Sequence, residues 1–428
     1  MIVALFEDEA FENFLPLTYT RPVFKLKSGI LSFLERAQKV FPKYRFLLLS
    51  RNHLIPTLKQ QETHPINDPD VIDDDLILIN GTLVMEKQTR QLLQKKLDRN
   101  AAMMESGRIA LAHLSREVAE KHAETLCKPI TQLQLKKIVK ECKILKGQNL
   151  PLMMHPWDLV NNCAELIGRD FQLIHEKGSE GTIDRRATTY GDACNLHLGE
   201  GAFVEAFSVL DVRNGPIYIG KETTVHTGSR ITGPAFVGDK TVVASGLIRE
   251  GCHIGDVCRV GGELDTTILH GYTNKYHTGF IGHSYIGKWV NIGAATTNSN
   301  LKDTYGTVKV TVKEKKIDSQ VIKVGCFLGD HAKTSIGTQI YTGKKIGVTS
   351  HVHGVVTEDV PSFTLWAKSL GGKPTEIYLE SAIETQKRVF ARRGITQTRE
   401  DIELLKTLFK LTVKERRNAG VTKRAFKL

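Results

Sequence analysis

The sequence predicts three parts: an α/β domain over residues 1–178, a left-handed parallel β-helix over residues 179–360, and a short α-helical tail over residues 361–428. The first part alternates short apolar runs with helical patterns. The second repeats an aliphatic residue every six positions, and the third has helical apolar spacing. A chain of 428 residues is long enough for two or three domains of ordinary size.

The first part contains apolar runs short enough to be buried strands, separated by segments with helical periodicity. The predicted strands are Ile2–Phe6, Phe46–Leu49 and Leu76–Ile79. The predicted helices are Ser32–Val40, Glu86–Met104 and Ser115–Cys127, the last with Ser115 as its N-cap. Strands that alternate with helices are typical of an α/β layer built on a parallel sheet.

The second part is rich in glycine and has a period of six. The repeated aliphatic residues are Ile219, Val225, Ile231, Val237 and Val243, then, after a shift of phase, Ile248, Ile254, Val260, Ile286, Ile292, Ile340, Ile346 and Val352. An aliphatic residue at every sixth position points into the bore of a three-sided prism, and the small residue after it leaves room at the corner. The alternative, a β-sandwich, predicts a two-residue alternation and longer strands.

The repeat is interrupted at Asn300–Gly325, where we expect a hairpin that leaves the prism and projects toward a neighbouring subunit. In the third part, Thr375–Arg393 and Arg399–Lys414 have helical spacing, and Thr398 is a helix start signal. These helices are expected to cap the last coil, because an open solenoid end exposes apolar surface.

Composition narrows the class of protein. No apolar run reaches the ~18 residues of a membrane span, and Met1–Phe6 lacks the basic start of a signal peptide. We therefore expect a cytoplasmic protein with no membrane partner. Seven cysteines without a CxxC pair favour buried thiols over zinc or disulfides. The net charge of +12 fits phosphorylated ligands, and the absence of an aromatic-basic motif argues against nucleic acid.

One segment of the predicted β-helix carries a specific resemblance. Residues 277–300 read HTGFIGHSYIGKWVNIGAATTNSN, which resembles the acetyltransferase site of the bifunctional GlmU enzymes without a gap between its histidine and its two asparagines. Gly271–Gly282, Pro16–Val23 and Pro156–Val160 are similar to the divergent sugar nucleotidyltransferases of the GlmU family. Together these landmarks cover most of the chain, and they imply that the first domain is nucleotidyltransferase-like.

By position, the resemblance implies that His277 is the catalytic base of an acetyl transfer. A histidine titrates in the range needed to take a proton from an amine that attacks a thioester. The resemblance also implies that Asn291 contacts the sugar and that Asn300 and Ala294 contact acetyl-CoA.

The same segment departs from the family at several positions. Phe280 replaces a tyrosine, and Asp265 stands where the family has a lysine that contacts the sugar phosphate. Arg249 lies near the position of the family's other phosphate-binding arginine and could compensate, as could Lys275, so we expect both of them to bind substrate. His283, at a position where the family has aspartate, is expected to be structural.

The first domain departs further. The family places a glycine-rich phosphate loop after its first strand, but here Ile2–Phe6 leads into the acidic segment Glu7–Glu12. Arg21, Lys25 and Lys27 are candidate nucleotide contacts, and a basic surface loop explains the same residues equally well.

The metal site of the family is also altered. Asn80 and Gly81 stand where the family has Gly-Asp, and both are candidate nucleotide contacts. Asn162 matches a second metal-contacting position, so magnesium remains possible. Asp8 or Asp158 could substitute for the missing aspartate.

The resemblance implies a homotrimeric enzyme with sugar phosphate and nucleoside triphosphate substrates. Acetyl-CoA-dependent N-acetylation of a glucosamine 1-phosphate-like acceptor, followed by nucleotidyl transfer, would give a UDP-N-acetylglucosamine-like product. We expect the nucleotidyl site to be unusual or weak. Two alternatives stay open: a sugar-1-phosphate nucleotidyltransferase whose β-helix only trimerises it, and a non-catalytic sugar-nucleotide-binding protein.

Overall fold

The computed structural model describes residues 1–86, 89–91, 97–145, 149–174 and 180–424. The chain divides into two compact units, which are described separately. The first unit comprises Met1–Phe14, Thr20–Leu26 and Leu31–His155. The second, here called the solenoid unit, comprises Leu15–Tyr19, Lys27–Ile30 and Pro156–Leu428.

The first unit is built on a mixed six-stranded sheet, in which the apolar run at the start of the chain is the second strand from one edge. From edge to edge the strands are Arg45–Leu49, Ile2–Phe6, Leu76–Asn80, Arg108–Leu114, Ala101–Glu105 and Lys143–Leu145. The three strands predicted from the sequence are confirmed, and they run parallel to one another. Arg108–Leu114 is antiparallel to both of its neighbours, so only part of the sheet is parallel as expected.

The helices of the first unit are short. The α-helices are Phe33–Val40, Ile55–Lys59, Arg116–Lys121, Ala123–Leu126 and Gln132–Ile138, and the 3₁₀ helices are Glu9–Phe14, Val23–Lys25, Asn52–Leu54, Pro69–Val71 and Val139–Glu141. Ser32 caps the first α-helix by accepting the Glu35 amide hydrogen at 3.2 Å. Ser115 occupies the predicted N-cap position, but its side chain makes no capping hydrogen bond.

The predicted helix Glu86–Met104 is wrong at its C-terminal end. Ala101–Glu105 is a strand, in which Ala102 pairs with Ala112 and Met103 with Leu111. Alanine and methionine favour helices in isolation, but these residues are buried by a neighbouring strand, and that pairing decides the conformation. Residues 87–88 and 92–96 lie outside the described part.

The solenoid unit stacks about ten coils, and each coil contributes a short parallel strand to each of three faces. The strands of the first face are Thr182–Ile183, Phe203–Val204, Thr224–Val225, Asn274–Lys275, Lys333–Thr334, His351–Val352 and Thr364–Trp366. The strands of the second face are Thr188–Tyr190, Val209–Asp211, Arg230–Thr232, Phe280–Gly282, Thr297–Asn298, Gln339–Ile340 and Val355–Val356. The strands of the third face are Leu196–Leu198, Ile217–Ile219, Ala235–Val237, Cys252–Ile254, Ile268–Leu269, Tyr285–Ile286, Phe327–Leu328 and Lys345–Ile346. The repeated aliphatic residues fill one continuous core. The predicted hexapeptide solenoid is confirmed, and it is consistent with a left-handed β-helix.

The shift of phase in the repeat has a structural cause. Val242–Ile248 and Arg259–Asp265 each run across the corner between the first and second faces without a break. Their pairing register shifts between Ala244 and Gly246, and Ser245 has a φ of 48°. In Val242–Ile248 the corner is one residue shorter, so Ile248 comes five positions after Val243 instead of six. In Arg259–Asp265 it is two residues shorter, and Leu264 comes four positions after Val260.

The insertion is a hairpin, as predicted. Lys309–Val312 pairs antiparallel with Lys315–Asp318, and Val310 is fully buried. At the turn, Glu314 forms an ion pair at 3.0 Å with Lys414 of the same chain. The hairpin therefore contacts its own tail, and its reach toward a neighbouring subunit stays a prediction.

Gly325, where the hairpin rejoins the coils, is expected to tolerate no side chain. A Cβ there would lie 2.0 Å from the Gly282 carbonyl oxygen and 2.2 Å from Ser284 Oγ. We expect Gly325→Ala to destabilise the solenoid unit by about 1–3 kcal/mol through overpacking, measured as a lower thermal midpoint. Gly168→Ala is the control, because a Cβ at this helical glycine meets nothing within 4 Å. An unchanged midpoint in Gly325→Ala would contradict the packing at this junction.

The tail forms a strand, Thr375–Glu376, and three helices, Leu379–Ala391, Arg399–Leu411 and Val413–Asn418. Thr398 caps the second helix in a capping box with Asp401, as its sequence indicates. Trp366 ends the core of the bore and Ala419 packs against that core. The expectation that the tail caps the last coil is therefore confirmed.

The solenoid unit also holds segments from the first part of the sequence. The Tyr19 hydroxyl donates to Glu415, whose other carboxylate oxygen accepts the Ser362 amide hydrogen at 3.2 Å. The helices Pro156–Asn161 and Cys163–Ile174 complete the unit.

The cysteines fit the expectation of buried thiols. All seven are free, and all except Cys194 are buried. Among the described residues, no helix is both long enough and apolar enough to cross a membrane.

Candidate functional site

His277 lies at the corner between the first and second faces of the solenoid and is exposed. Its imidazole meets the ring of Tyr276 edge-on, with centroids 5.5 Å apart. Within the described part of the chain this imidazole makes no hydrogen bond, so its nitrogens are available to a ligand. The corner is tight because a Cβ at Gly279, where φ is +120°, would lie 2.2 Å from the Thr296 carbonyl oxygen of the next coil.

Ala294 lies at the same corner, one coil further along. The Ala295 amide donates to the Thr278 carbonyl at 2.9 Å, and the Gly337 amide donates to the Ala294 carbonyl at 2.8 Å. These bonds stack His277, Ala294 and the following coil in register. Ala294 is half-exposed and adds only a methyl group to this corner.

Asn291 lies on the first face, exposed, and is paired in register with Asn274 on one side and Lys333 on the other. Asn274 Nδ2 donates to Asn291 Oδ1 at 3.4 Å, and Arg393 Nη2 of the tail donates to Asn274 Oδ1 at 2.8 Å. Sequence reasoning missed Asn274 and Arg393. The available signal was that Asn274 occupies the same place in its coil as Asn291.

Asn300 lies at the next corner, between the second and third faces. Its Nδ2 is 2.9 Å from His283 Nδ1, and His283 lies 3.8 Å from Asp265. Burial lowers the pKa of His283 despite the opposing effect of Asp265, so a neutral imidazole accepts the amide hydrogen. Gly282 makes room for this contact, because a Cβ there would lie 2.7 Å from Asn300 Nδ2. His283 thus orients Asn300, in keeping with its expected structural role.

The side chains of His277 and Asn300 do not contact each other within one chain. His277 precedes the strand Phe280–Gly282 of the second face, whereas Asn300 follows Thr297–Asn298 of the same face. The two corners are about six residues apart along that face, roughly 15–20 Å at 3.3 Å per residue. A single small substrate cannot touch both residues of one chain.

The two cations expected to bind a sugar phosphate are engaged elsewhere. Lys275 is buried inside the coil, where Nζ donates to the carbonyls of Gly261 at 2.9 Å and His277 at 2.5 Å. The same burial lowers its pKa to about 8. This placement argues against substrate binding by Lys275, because its ammonium is bonded to carbonyls inside the coil, and that role stays a prediction. Arg249 is exposed but paired with Glu263 at 2.6 Å.

In the first unit, two buried ion pairs lie directly after the first strand, where the family has its phosphate loop. Arg51 Nε donates to Glu7 at 2.9 Å, and Arg108 Nη2 donates to Asp8 at 2.7 Å. All four side chains are buried at the carboxyl end of the strand Ile2–Phe6. Both arginines are therefore paired with carboxylates of the acidic segment and are not available to bind an anion.

Asn80 and Gly81 have structural contacts at the same strand ends. Asn80 is buried and its Nδ2 donates to Asp8 at 3.2 Å. A Cβ on Gly81 would lie 2.9 Å from the Val23 side chain and 3.0 Å from the Phe6 carbonyl oxygen. These contacts support the ion-pair network and the packing of the loop, and nucleotide binding by either residue stays a prediction.

Arg21, Lys25 and Lys27 do not form one cluster. Arg21 is buried and its carbonyl accepts a hydrogen bond from Arg51 at 3.0 Å. Lys25 forms an ion pair with Glu62. Lys27 belongs to the solenoid unit and its amide donates to the Tyr285 hydroxyl at 2.9 Å. The arrangement favours structural roles for this segment.

Asn162 lies between the helices Pro156–Asn161 and Cys163–Ile174, and its Nδ2 donates to the Asp158 carbonyl at 2.8 Å. Among the described residues, no group of three histidine, cysteine, aspartate or glutamate side chains could hold a metal ion. A metal at Asn162 stays a prediction.

A cleft of about 120 Å³ opens beside the ion pairs of the first unit. Its lining residues are Glu7, Asp8, Glu9, Phe11, Leu49, Ser50, Arg51, Lys128, Pro129, Ile130 and Thr131. The Arg51 guanidinium lies over the Phe11 ring at 3.9 Å. Small-molecule pockets usually measure about 300–1,000 Å³, so this cleft is narrow for a nucleotide.

Residues 3–179 match the family model of the sugar nucleotidyl transferases. Among curated proteins, the chain is 41% identical over 86 residues to a bifunctional sugar-1-phosphate nucleotidylyltransferase/acetyltransferase of Sulfurisphaera tokodaii, covering 20% of this chain and 21% of that protein. It is 35% identical over 85 residues to the bifunctional protein GlmU of Methanocaldococcus jannaschii, with 20% of this chain and 21% of that protein covered. The matches thus span about a fifth of the length of these relatives.

Two solved structures were also matched. One is the UDP-N-acetylglucosamine acyltransferase of Francisella novicida, at 13% identity and a TM-score of 0.27, with 55% of this chain and 77% of that chain covered. The other is an acetyltransferase from Bacillus cereus, assigned as such without proof of activity, at 12% identity and a TM-score of 0.18, with 54% and 91% covered.

Proposed function

We propose that the chain is an acetyl-CoA-dependent N-acetyltransferase of sugar-nucleotide synthesis whose acceptor is an amino-sugar 1-phosphate such as glucosamine 1-phosphate. The observation that carries the proposal is the placement of His277. The gap-free segment from His277 to Asn300 lies on consecutive coils, and the imidazole is exposed at a corner beside a small residue. The names of the bifunctional relatives support the same class of reaction.

The chemistry assigned to His277 is proton transfer. The amine nitrogen of the acceptor attacks the thioester carbonyl, a nitrogen–carbon bond forms and the carbon–sulfur bond breaks. The proton lost by nitrogen passes to the imidazole and from there to the sulfur of coenzyme A. Ala294 borders the path of the coenzyme, while Asn291 presents an amide to the sugar.

The proposed active enzyme is a homotrimer. Because His277 and Asn300 lie at different corners of one prism, they act on one substrate only if two chains contribute. Asn300 of one chain then faces His277 of its neighbour across an interface that runs parallel to the prism axis. The insertion hairpin leaves from the Asn300 corner, which is where a neighbouring chain would be contacted.

The first unit is proposed to transfer a nucleotidyl group weakly or by an unusual arrangement of residues. The match to the sugar nucleotidyl transferase model supports the reaction class. The buried pairs Glu7–Arg51 and Asp8–Arg108 stand where phosphates would be held. With magnesium, the expected product is UDP-N-acetylglucosamine-like.

Pyrophosphate release tests this second activity. With each nucleoside triphosphate, magnesium and N-acetylglucosamine 1-phosphate, we expect turnover at least tenfold slower than acetyl transfer, because Arg51 and Arg108 are already paired with carboxylates and cannot stabilise charge on the phosphates. Arg21→Ala should abolish any residual turnover if this loop holds the triphosphate, and Lys59→Ala is a surface control. Rates comparable to acetyl transfer would show that the ion pairs open for the nucleotide.

The proposed function is tested by coenzyme A release across a panel of amino sugars and their 1-phosphates, together with the molar mass in solution. Release with glucosamine 1-phosphate by a trimer supports the proposal. Pyrophosphate release without coenzyme A release would favour a nucleotidyltransferase that the solenoid only assembles. A ligand-induced thermal shift without either turnover would favour a sugar-nucleotide-binding protein.

A further inference from the structure

A ladder of outward polar side chains runs up the first face of the solenoid. Arg259, Asn274, Asn291 and Lys333 occupy equivalent positions in four successive coils and pair in that order. Adjacent members are about 4.8 Å apart, the spacing of neighbouring strands. The earlier coils of the same face have Thr182, Phe203, Thr224 and Val242 at this position. Charged and amide side chains at this position therefore begin at Arg259, in the coil before His277, and Lys333 pairs onward with His351.

A cation from the tail joins this ladder. Arg393 lies just after the helix Leu379–Ala391 and donates to Asn274 Oδ1 at 2.8 Å. Burial lowers the pKa of Arg393, and repulsion from the positive charges of Arg259 and Arg392 lowers it further. The tail thus places the positive charge of Arg393 near that of Arg259.

The cations of this surface have no carboxylate partner within the described residues. Arg259 donates to the carbonyls of Lys240 and Cys258, both at 2.8 Å, and Lys333 donates to the His331 carbonyl at 3.0 Å. By contrast, Lys25, Arg51 and Arg108 of the first unit are paired with carboxylates. Like charges that are partly removed from water and have no counter-ion repel each other. A bound anion reduces this repulsion, so these cations favour the state of the protein in which an anion is bound.

We propose that Arg259 and Arg393 form a phosphate subsite on the first face, with Asn274 bonded to Arg393 and next to Arg259 in the ladder, Asn291 at its edge and Lys333 beyond it. The proposal rests on the proposed function and deepens it, because it gives a phosphorylated ligand the cations that Lys275 and Arg249 do not supply. It also assigns the helical tail a binding role. The phosphate is that of the acceptor sugar or one of the phosphates of coenzyme A.

The test is calorimetric binding to the full chain, with glucosamine 1-phosphate, glucosamine and adenosine 3′,5′-bisphosphate as probes. We expect Arg393→Gln to weaken binding of one phosphorylated probe by about 10- to 100-fold, the usual scale for a charge-assisted hydrogen bond. Glucosamine binding should change by less than twofold. Weakening of glucosamine 1-phosphate assigns the subsite to the sugar, and weakening of adenosine 3′,5′-bisphosphate assigns it to the coenzyme.

Arg392→Gln is the matched control, because Arg392 is the exposed neighbour on the same turn and its loss changes the net charge equally. Asn274→Asp tests the site without removing an arginine: its carboxylate should pair with Arg393 and weaken the same probe. If both Arg393→Gln and Asn274→Asp bind all probes like the wild type, the subsite is refuted. Coenzyme A release is measured separately, and its absence while the binding differences persist refutes the acetyl transfer and leaves the phosphate subsite standing.

Discussion

His277→Ala is expected to lower acetyl transfer by about two to four orders of magnitude, the usual scale for removal of a general base. The imidazole is exposed at a corner and, within the described residues, is not engaged by any hydrogen bond, so its loss should leave the coils intact. The change should appear in kcat, measured as coenzyme A release at saturating acceptor, with little change in the melting temperature.

The matched control is His226→Ala, which removes an imidazole from an earlier coil of the same solenoid, where it is bonded to Glu205 at 2.9 Å. This variant should keep wild-type acetylation. A further control is the molar mass, which confirms that the assembly is unchanged. Wild-type acetylation by a correctly assembled His277→Ala protein would refute the assignment of the base.

Asp8→Ala is expected to destabilise the first unit by about 3–5 kcal/mol, since removing one partner of a buried ion pair leaves the other charge buried and uncompensated. Here Arg108 would keep its guanidinium at the end of the strand Ile2–Phe6 with no carboxylate. Asn80 and Gln132 would also lose the oxygen to which they donate. The measurement is hydrogen–deuterium exchange of peptides from the first unit, which reports its opening independently of the solenoid.

Asp73→Ala is the comparison, because the pair of Asp73 with Arg45 lies on the surface, where ion pairs contribute little. Its exchange should be close to that of the wild type. Asp8→Asn should fall between the two, since the amide keeps the size and one acceptor. Equal exchange in Asp8→Ala and Asp73→Ala would mean that the buried pair does not hold the strand ends together.

The solenoid was predictable because each coil repeats the same local requirement. An inward aliphatic residue such as Val225 or Ile231 is needed wherever a strand faces the bore, so the period is written directly in the sequence. The shift of phase at Val243 was visible, but its cause was not. A strand that crosses a corner, with Ser245 in the left-handed region, depends on pairing with Arg259–Asp265.

The first unit was less predictable because its decisive contacts are distant in sequence. Ala101–Glu105 resembles a helix until Arg108–Leu114 lies beside it. The pair Asp8–Arg108 joins residues 100 positions apart, and the sequence around Asp8 does not indicate that Arg108 is its partner. For this reason the acidic segment after the first strand indicated a missing phosphate loop but not what replaces it.

The candidate site, too, was predictable where local spacing determines it and not where contacts between distant residues do. The place of His277 followed from spacing along consecutive coils, which a solenoid converts directly into position. The direction of the Lys275 side chain did not follow, because a lysine next to the aliphatic Val260 in register is unexpected inside the prism, and only the structure shows its ammonium bonded to carbonyls there. Arg393 was out of reach of sequence reasoning, since it comes to Asn274 from 119 residues away.

The bond between Tyr19 and Glu415 sets an order of events during synthesis. These residues are 396 positions apart, and a ribosome that adds about 5–20 residues per second needs roughly 20–80 s to produce the second after the first. During that time Leu15–Tyr19 has no final partner in the tail, although the strands of the first unit are already available to pair. Leu15–Tyr19 therefore reaches its final contacts only when the tail has been made, and any delay late in translation prolongs the exposure of this early segment.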